Sequence, residues 1–252
     1  EDFERMVRKK LAPNIEKRFP KDWEKKVREW RKRTSPLMYF QDRWGGFFGP
    51  LRNLLGIKAL CRAFYNRPEF VERMMDQRVE VILSILEKLL DDVEIDIFGF
   101  WEDMAYKNGP LLSPDMFKEF MLPRYKIVCD YLRSRGVDLI GVDSDGDVRT
   151  LIPLWLKAGV NGVWPMEVQA SMDVVALRKE YGRKLVMFGG IDKRALAKGK
   201  EQIEAEIDRV WSVVGTGGYI PHTDHSIPPD VSWDNFCHYQ RYLVHKSGVN
   251  SV

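Results

Sequence analysis

At 252 residues and 29.5 kDa, the chain has the length of one large domain, and α/β barrels often have about this size. It is 44% hydrophobic and 31% charged, with 8 Trp and 13 Phe, which excludes a disordered chain. Forty basic against 37 acidic residues give a net charge of +3, too little to imply a nucleic-acid partner.

Three cysteines, at 61, 129 and 237, form no CxxC pair and suit free thiols in a reducing compartment, so a cytoplasmic protein is expected. No apolar run reaches the roughly 18 residues that a membrane span needs. The opening residues, EDFERMVRKK, contain no apolar signal region and no initiator Met, so a processed chain or a fragment is expected.

The first 33 residues hold 13 Lys/Arg and 7 Asp/Glu. Trp23, Val27 and Trp30 form one apolar stripe at helical spacing, so residues 1–35 read as an amphipathic helical segment with a solvated charged face. A nucleic-acid arm is the alternative. From residue 36 to 252 the pattern is that of a single (β/α) barrel domain.

Short apolar strands then alternate with longer helical stretches. Strands are expected at Leu37–Phe40, Ile95–Phe100, Val137–Val142, Gly162–Trp164, Leu185–Phe188 and Gly218–Ile220. Helices are expected over about 68–91, from Ser113-Pro114-Asp115 onward, through 151–155, and around 172–181 and 200–213. Strict alternation argues a parallel sheet with covering helices, and no GxGxxG follows a strand. Polar or acidic residues follow almost every strand, which favours a barrel with its active face at the C-terminal strand ends over a doubly wound sheet. Six strands are visible where a barrel has eight, so the first two are expected upstream or on another chain.

Four groups at those strand ends carry chemistry. His222-Thr223-Asp224-His225 offers two imidazoles and a carboxylate, suited to metal binding or proton transfer, or else to a capped polar loop. Asp143 and Asp145, two apart, put their carboxylates on one side, where they share a proton, bind a cation or face solvent. Glu102 follows the aromatic strand Phe98–Trp101, and partial desolvation there suits a general acid or base; pairing with a structural Arg is the alternative. Asp192-Lys193 reads as a strand-end site or a helix N-cap.

The ordered blocks Ile95–Tyr125, Phe188-Gly189-Gly190-Ile191-Asp192 through Leu196, and Gly217–Ile220 with His225-Ser226-Ile227-Pro228-Pro229-Asp230 resemble the uroporphyrinogen decarboxylase superfamily. That superfamily includes cobalamin-dependent methyltransferases. The resemblance implies a distorted (β/α)8 TIM-type barrel, apparently without its N-terminal strands. In the methyltransferase branch it implies a metal site at Asp143, Asp145 and His225, where carboxylates and an imidazole replace the branch's thiolate-containing set. Zinc is the first expectation there, with manganese or iron as alternatives.

The leading reading is therefore metal-dependent methyl transfer involving a corrinoid carried by a partner protein. Glu102, His222 and His225 would be catalytic, and Trp101, Trp164, Glu167 and Asp192 would bind a small-molecule substrate. The alternative is decarboxylation of a uroporphyrinogen-like tetrapyrrole without metal or other cofactor. A third reading is a non-catalytic barrel that binds a tetrapyrrole or a protein partner. No nucleic acid or membrane is expected as a partner, and the reading leaves room for a homodimer.

Overall fold

The computed structural model describes residues 2–6, 12–13, 15–40 and 42–248. Its strands in chain order are β1 Met38–Phe40, β2 Ile97–Trp101, β3 Ala105–Tyr106, β4 Gly109–Pro110, β5 Leu139–Asp143, β6 Gly162–Met166, β7 Val186–Ile191 and β8 Tyr219–Thr223. Six of them match the expected strands, and β3 and β4 form a small antiparallel hairpin that the alternation did not reveal. Helices follow the long strands in turn, so the fold is α/β, a partial (β/α)8 barrel with six of the eight strands.

The chain divides into two compact units. The first comprises Glu1–Met104, Leu111–Asp143 and Thr150–Asn161. In it, β1, β2 and β5 pair in parallel, Met38 with Ile97 and Ile97 with Leu139. The helix Pro68–Asp92 covers them, started by a proline whose missing N–H would have had no helical partner anyway. Val71, Met74, Met75, Val79, Ile82, Leu86 and Leu89, the expected stripe, are all buried. Each such side chain contributes about 1.5–3 kcal/mol on burial.

The helix expected after Ser113 begins as foreseen, with Ser113 Oγ accepting the Met116 N–H at 3.2 Å. It then passes through a π turn, Phe117–Met121, before continuing as Leu122–Ser134. Pro123 brings no N–H to this junction, which accounts for the break in the regular ladder.

The segment Trp23–Trp30 is helical, with Val27 buried. Trp23 Nε1 donates to Asp92 Oδ2 at 2.6 Å, and the Trp23 and Trp30 rings meet edge-on at 5.4 Å. Lys25 and Arg28 form exposed pairs with Glu29 and Glu24, so this part of the charged face is solvated. Two further helices, Phe48–Leu55 and Ile57–Asn66, follow β1. Gly56, with φ of 76°, makes the corner between them.

The second unit comprises Ala105–Pro110, Ser144–Arg149 and Gly162–Val252. Its strands β6, β7 and β8 are parallel, with Gly162 opposite Val186 and Phe188 opposite Ile220. The register shifts between Val163 and Met166. Helices Val174–Tyr181 and Lys200–Val214 lie where expected. Helix Trp233–Ser247, capped by Ser232 Oγ on the Asn235 N–H at 3.2 Å, was not among the expectations. Among the described residues no helix is long and apolar enough to cross a membrane.

Candidate active site

In the first unit the end of β2 is built around Glu102. Its side chain is fully buried, and Oε1 accepts the Phe47 N–H at 2.8 Å while Oε2 accepts the Gly49 N–H at 3.0 Å. Tyr125 donates its hydroxyl to Oε1 as well. Burial pushes the Glu102 carboxyl above its ordinary value, against the pull of Tyr125 and the backbone donors. These donors include N–H groups that open the helix Phe48–Leu55 and have no partner within it.

Glu102 therefore acts as a remote helix cap. Its oxygens are held by these donors and it has no solvent exposure. Arg52 pairs with the neighbouring Asp103 at 2.8 Å, while the buried Arg78 interacts electrostatically with Glu102.

Asp103 sits in the left-handed region at φ 44°, strained for a non-glycine residue, and Arg52 secures it through both its carboxylate and its carbonyl. The same guanidinium lies 5.3 Å from the centre of the Trp101 ring. Gly49 packs against that indole so closely that a Cβ would come within 2.7 Å of it. Trp101 is thus held between a cation and a helix and remains half-buried. Asp143 closes β5, and its carbonyl accepts the N–H groups of Glu102 at 2.9 Å and Asp103 at 3.2 Å.

In the second unit the ends of β6, β7 and β8 carry a connected set of groups. Asp224, just past β8, is fully buried and accepts two backbone N–H groups, Val168 at 2.9 Å and Lys193 at 3.0 Å. Burial raises its carboxyl above the ordinary value, ahead of the lowering by those N–H groups and by Lys193. Its own N–H donates to Ile191 at 2.8 Å, so one residue ties three strand ends together.

Glu167, after β6, accepts the Gly146 N–H at 3.0 Å and lies 3.5 Å from Lys193 Nζ. Gly146 is required there: φ is 86°, and a Cβ would come within 2.7 Å of Ala105 and Tyr106. Asp192 caps its own turn through the Arg194 N–H at 2.9 Å and pairs with the Arg194 guanidinium at 2.7 Å. Burial raises the Asp192 carboxyl, but Arg194 outweighs it and the net shift is downward. The N-cap weighed for Asp192 is therefore present, with its side chain committed to it.

His225 Nε2 lies 3.5 Å from Asp145 Oδ2, and both side chains are about two-fifths exposed. His222 Nδ1 lies 2.7 Å from the Thr223 carbonyl oxygen. Burial pulls the His222 imidazole below its ordinary value, against opposing contributions from Thr223 and Asp224. Trp164 lies in mid-strand rather than at a strand end, with its ring edge-on to Phe188 at 5.2 Å.

The residues do not fit the metal centre expected at Asp143, Asp145 and His225. Asp145 and His225 come together as a pair. Among the described residues no group of three or more His, Cys, Asp or Glu side chains is arranged to hold a metal ion. Asp147, in the same acidic loop, is held by Arg149 at 2.6 Å, which keeps its carboxyl below the ordinary range.

Sequence reasoning missed Tyr125 and Lys193 as members of these networks and weighed Asp224 as part of a metal or proton-transfer site or as a loop cap. A buried acid leaves no periodic signature, since its partners are backbone N–H groups far along the chain.

Comparison with known proteins agrees with this architecture. The family model described as Uroporphyrinogen decarboxylase (URO-D) matches residues 49–242. The uroporphyrinogen decarboxylase of Alcanivorax borkumensis is 25% identical over 73% of this chain and 50% of its own length. That of Neisseria meningitidis is 25% identical over 68% of this chain and 47% of its own. The chain thus spans about half the length of these curated relatives. A methyltransferase from Methanosarcina mazei shares the fold, with a TM-score of 0.66 and 16% identity over 90% of this chain and 64% of that one. By the family match, the chain belongs to the uroporphyrinogen decarboxylase (URO-D) family.

Proposed function

We propose that the chain forms the substrate-binding strand ends of a methyl-transfer enzyme, with a corrinoid on a partner protein as co-substrate. The observation that carries this reading is the charge state of the second unit's strand ends. Lys193 is paired with Glu167, Arg194 with Asp192 and Arg149 with Asp147. Each cation already faces a carboxylate, so a substrate with many carboxylates would have to break these pairs to be held. A neutral or cationic substrate would not.

In this reading the methyl group leaves a heteroatom of the substrate, and the electron pair of the broken bond stays on that heteroatom. The corrinoid supplies the methyl acceptor or donor. In this reading His225, which lies 3.5 Å from Asp145, would give the heteroatom a proton or take one in the reverse direction. Trp164 lends an aromatic surface beside Phe188. No step is routed through a bound metal ion.

Decarboxylation of a uroporphyrinogen-like tetrapyrrole is the second reading, favoured by the activity named for the curated relatives. Binding separates the two. The full-length protein, titrated with uroporphyrin and with methylcobalamin, is expected to bind methylcobalamin saturably and uroporphyrin not at all. Saturable uroporphyrin binding that Lys193→Ala or Arg194→Ala weakens would favour the decarboxylase.

A further inference from the structure

His222 stands at the end of a wall of which the proposed reaction uses only Trp164 beside Phe188. Strand alternation puts Ile220 and His222 on one face of β8, while Tyr219 is buried on the other with its hydroxyl on the Gly189 carbonyl at 2.7 Å. Phe188 is the register partner of Ile220, and Gly190 that of His222. Trp164 meets Phe188 at 5.2 Å. The wall therefore runs from Trp164 through Phe188 and Ile220 to one imidazole, and Ile220 keeps 47% of its surface exposed.

The imidazole's hydrogen-bonding sense follows from its neighbour. The Thr223 carbonyl can only accept, so the hydrogen between it and Nδ1, 2.7 Å away, belongs to the ring. In the neutral ring Nε2 is then the bare nitrogen, an acceptor. Gly189 lies beside the ring: a Cβ there would stand in ordinary contact with His222 Cε1, at 3.5 Å. Among the described residues no side-chain donor is recorded on Nε2.

We infer that His222 selects the ligand, accepting through Nε2 a hydrogen bond from an N–H or O–H group carried on an apolar or aromatic body that lies against Ile220 and Trp164, with the buried Phe188 beneath them. Ligands that present only acceptors at this point, carboxylates above all, meet a lone pair and are disfavoured. The inference rests on the proposed placement of substrate at these strand ends, and it extends that placement to the chemistry of the ligand.

The test uses the full-length protein with indole, which has an aromatic body and one N–H, against 1-methylindole, which lacks the donor. Ring 15N shifts of His222 should show a protonated Nδ1 and a bare Nε2, and Nε2 should move on adding indole. Indole should bind about five- to tenfold more tightly than 1-methylindole. That preference should vanish in His222→Phe and persist in His222→Gln, whose amide oxygen can stand near the place of Nε2. A bare Nδ1, no saturable indole binding, equal binding of the two probes, or a preference that survives His222→Phe would each overturn the inference. None of these readouts depends on methyl transfer, so failure of the proposed reaction would leave a separate result.

Discussion

Asp224 Oδ1 accepts the backbone N–H of Lys193 at 3.0 Å across 31 residues of chain, while its second oxygen takes the Val168 N–H at 2.9 Å. A buried carboxylate is costly unless paired, and here two backbone donors supply the pairing. Replacing it with Ala would leave both donors buried without an acceptor, at about 1–3 kcal/mol each. Asp224→Ala should therefore lower unfolding stability by about 2–5 kcal/mol, and Asp224→Asn by less, since its single amide oxygen keeps one bond. Urea denaturation of the two variants against the parent measures this.

Glu102 has a pH signature of its own. Burial raises its folded-state pKa above the unfolded value near 4.5, so the folded state holds the proton more tightly. The contribution to stability is fully present below the unfolded pKa and is lost as pH rises toward the folded one. A urea midpoint that falls with rising pH from about 4.5 is expected, and Glu102→Gln should flatten that slope. Glu102→Ala, which strands the N–H groups of Phe47 and Gly49 and the Tyr125 hydroxyl, should destabilise by at least about 3 kcal/mol at neutral pH.

Gly46 has no space for a side chain. A Cβ there would collide with the Trp101 carbonyl oxygen and lie 2.7 Å from the Glu102 carboxyl carbon. Backbone on one side and a buried acid on the other give little room to yield. Gly46→Ala should cost about 1–3 kcal/mol and reduce the thermal midpoint, whereas Gly136→Ala, which meets only the strain of φ 83°, should cost less.

Asp145 and His225 make the opposite prediction. An exposed pair at 3.5 Å contributes at most about 1 kcal/mol to stability. Asp145→Asn and His225→Gln should unfold within that margin of the parent. If the pair handles the proton, turnover should nevertheless fall by about 10²–10⁴. Variants that lose stability and activity in parallel would argue for a structural pair.

The fold was legible because its signals are periodic. The six long strands announce themselves as short apolar runs, and the stripe from Val71 to Leu89 repeats at helical spacing. The helix Phe48–Leu55 was hidden because Gly49 and Pro50 read as turn residues and its opening N–H groups are capped from Glu102 in β2's wake. At the site, the strand-end position of His222, His225, Asp145 and Glu167 could be read from sequence, but their pairings could not. Asp143 and Asp145 looked equivalent at a spacing of two, and the spacing did not reveal that the imidazole of His225 lies beside Asp145. Lys193 and Asp224 meet through backbone geometry that depends on where β7 and β8 end, which no local pattern encodes.

The central claim is that these strand ends serve methyl transfer and not release of carbon dioxide from a polycarboxylated tetrapyrrole. The direct measurement incubates the full-length protein in parallel with uroporphyrinogen and with methylcobalamin plus a mixture of thiol, amine and phenol acceptors. Loss of the methyl group from methylcobalamin, abolished in His225→Gln, with uroporphyrinogen unchanged, is the predicted result. Stepwise loss of carboxyl groups from uroporphyrinogen, with methylcobalamin intact, would contradict it.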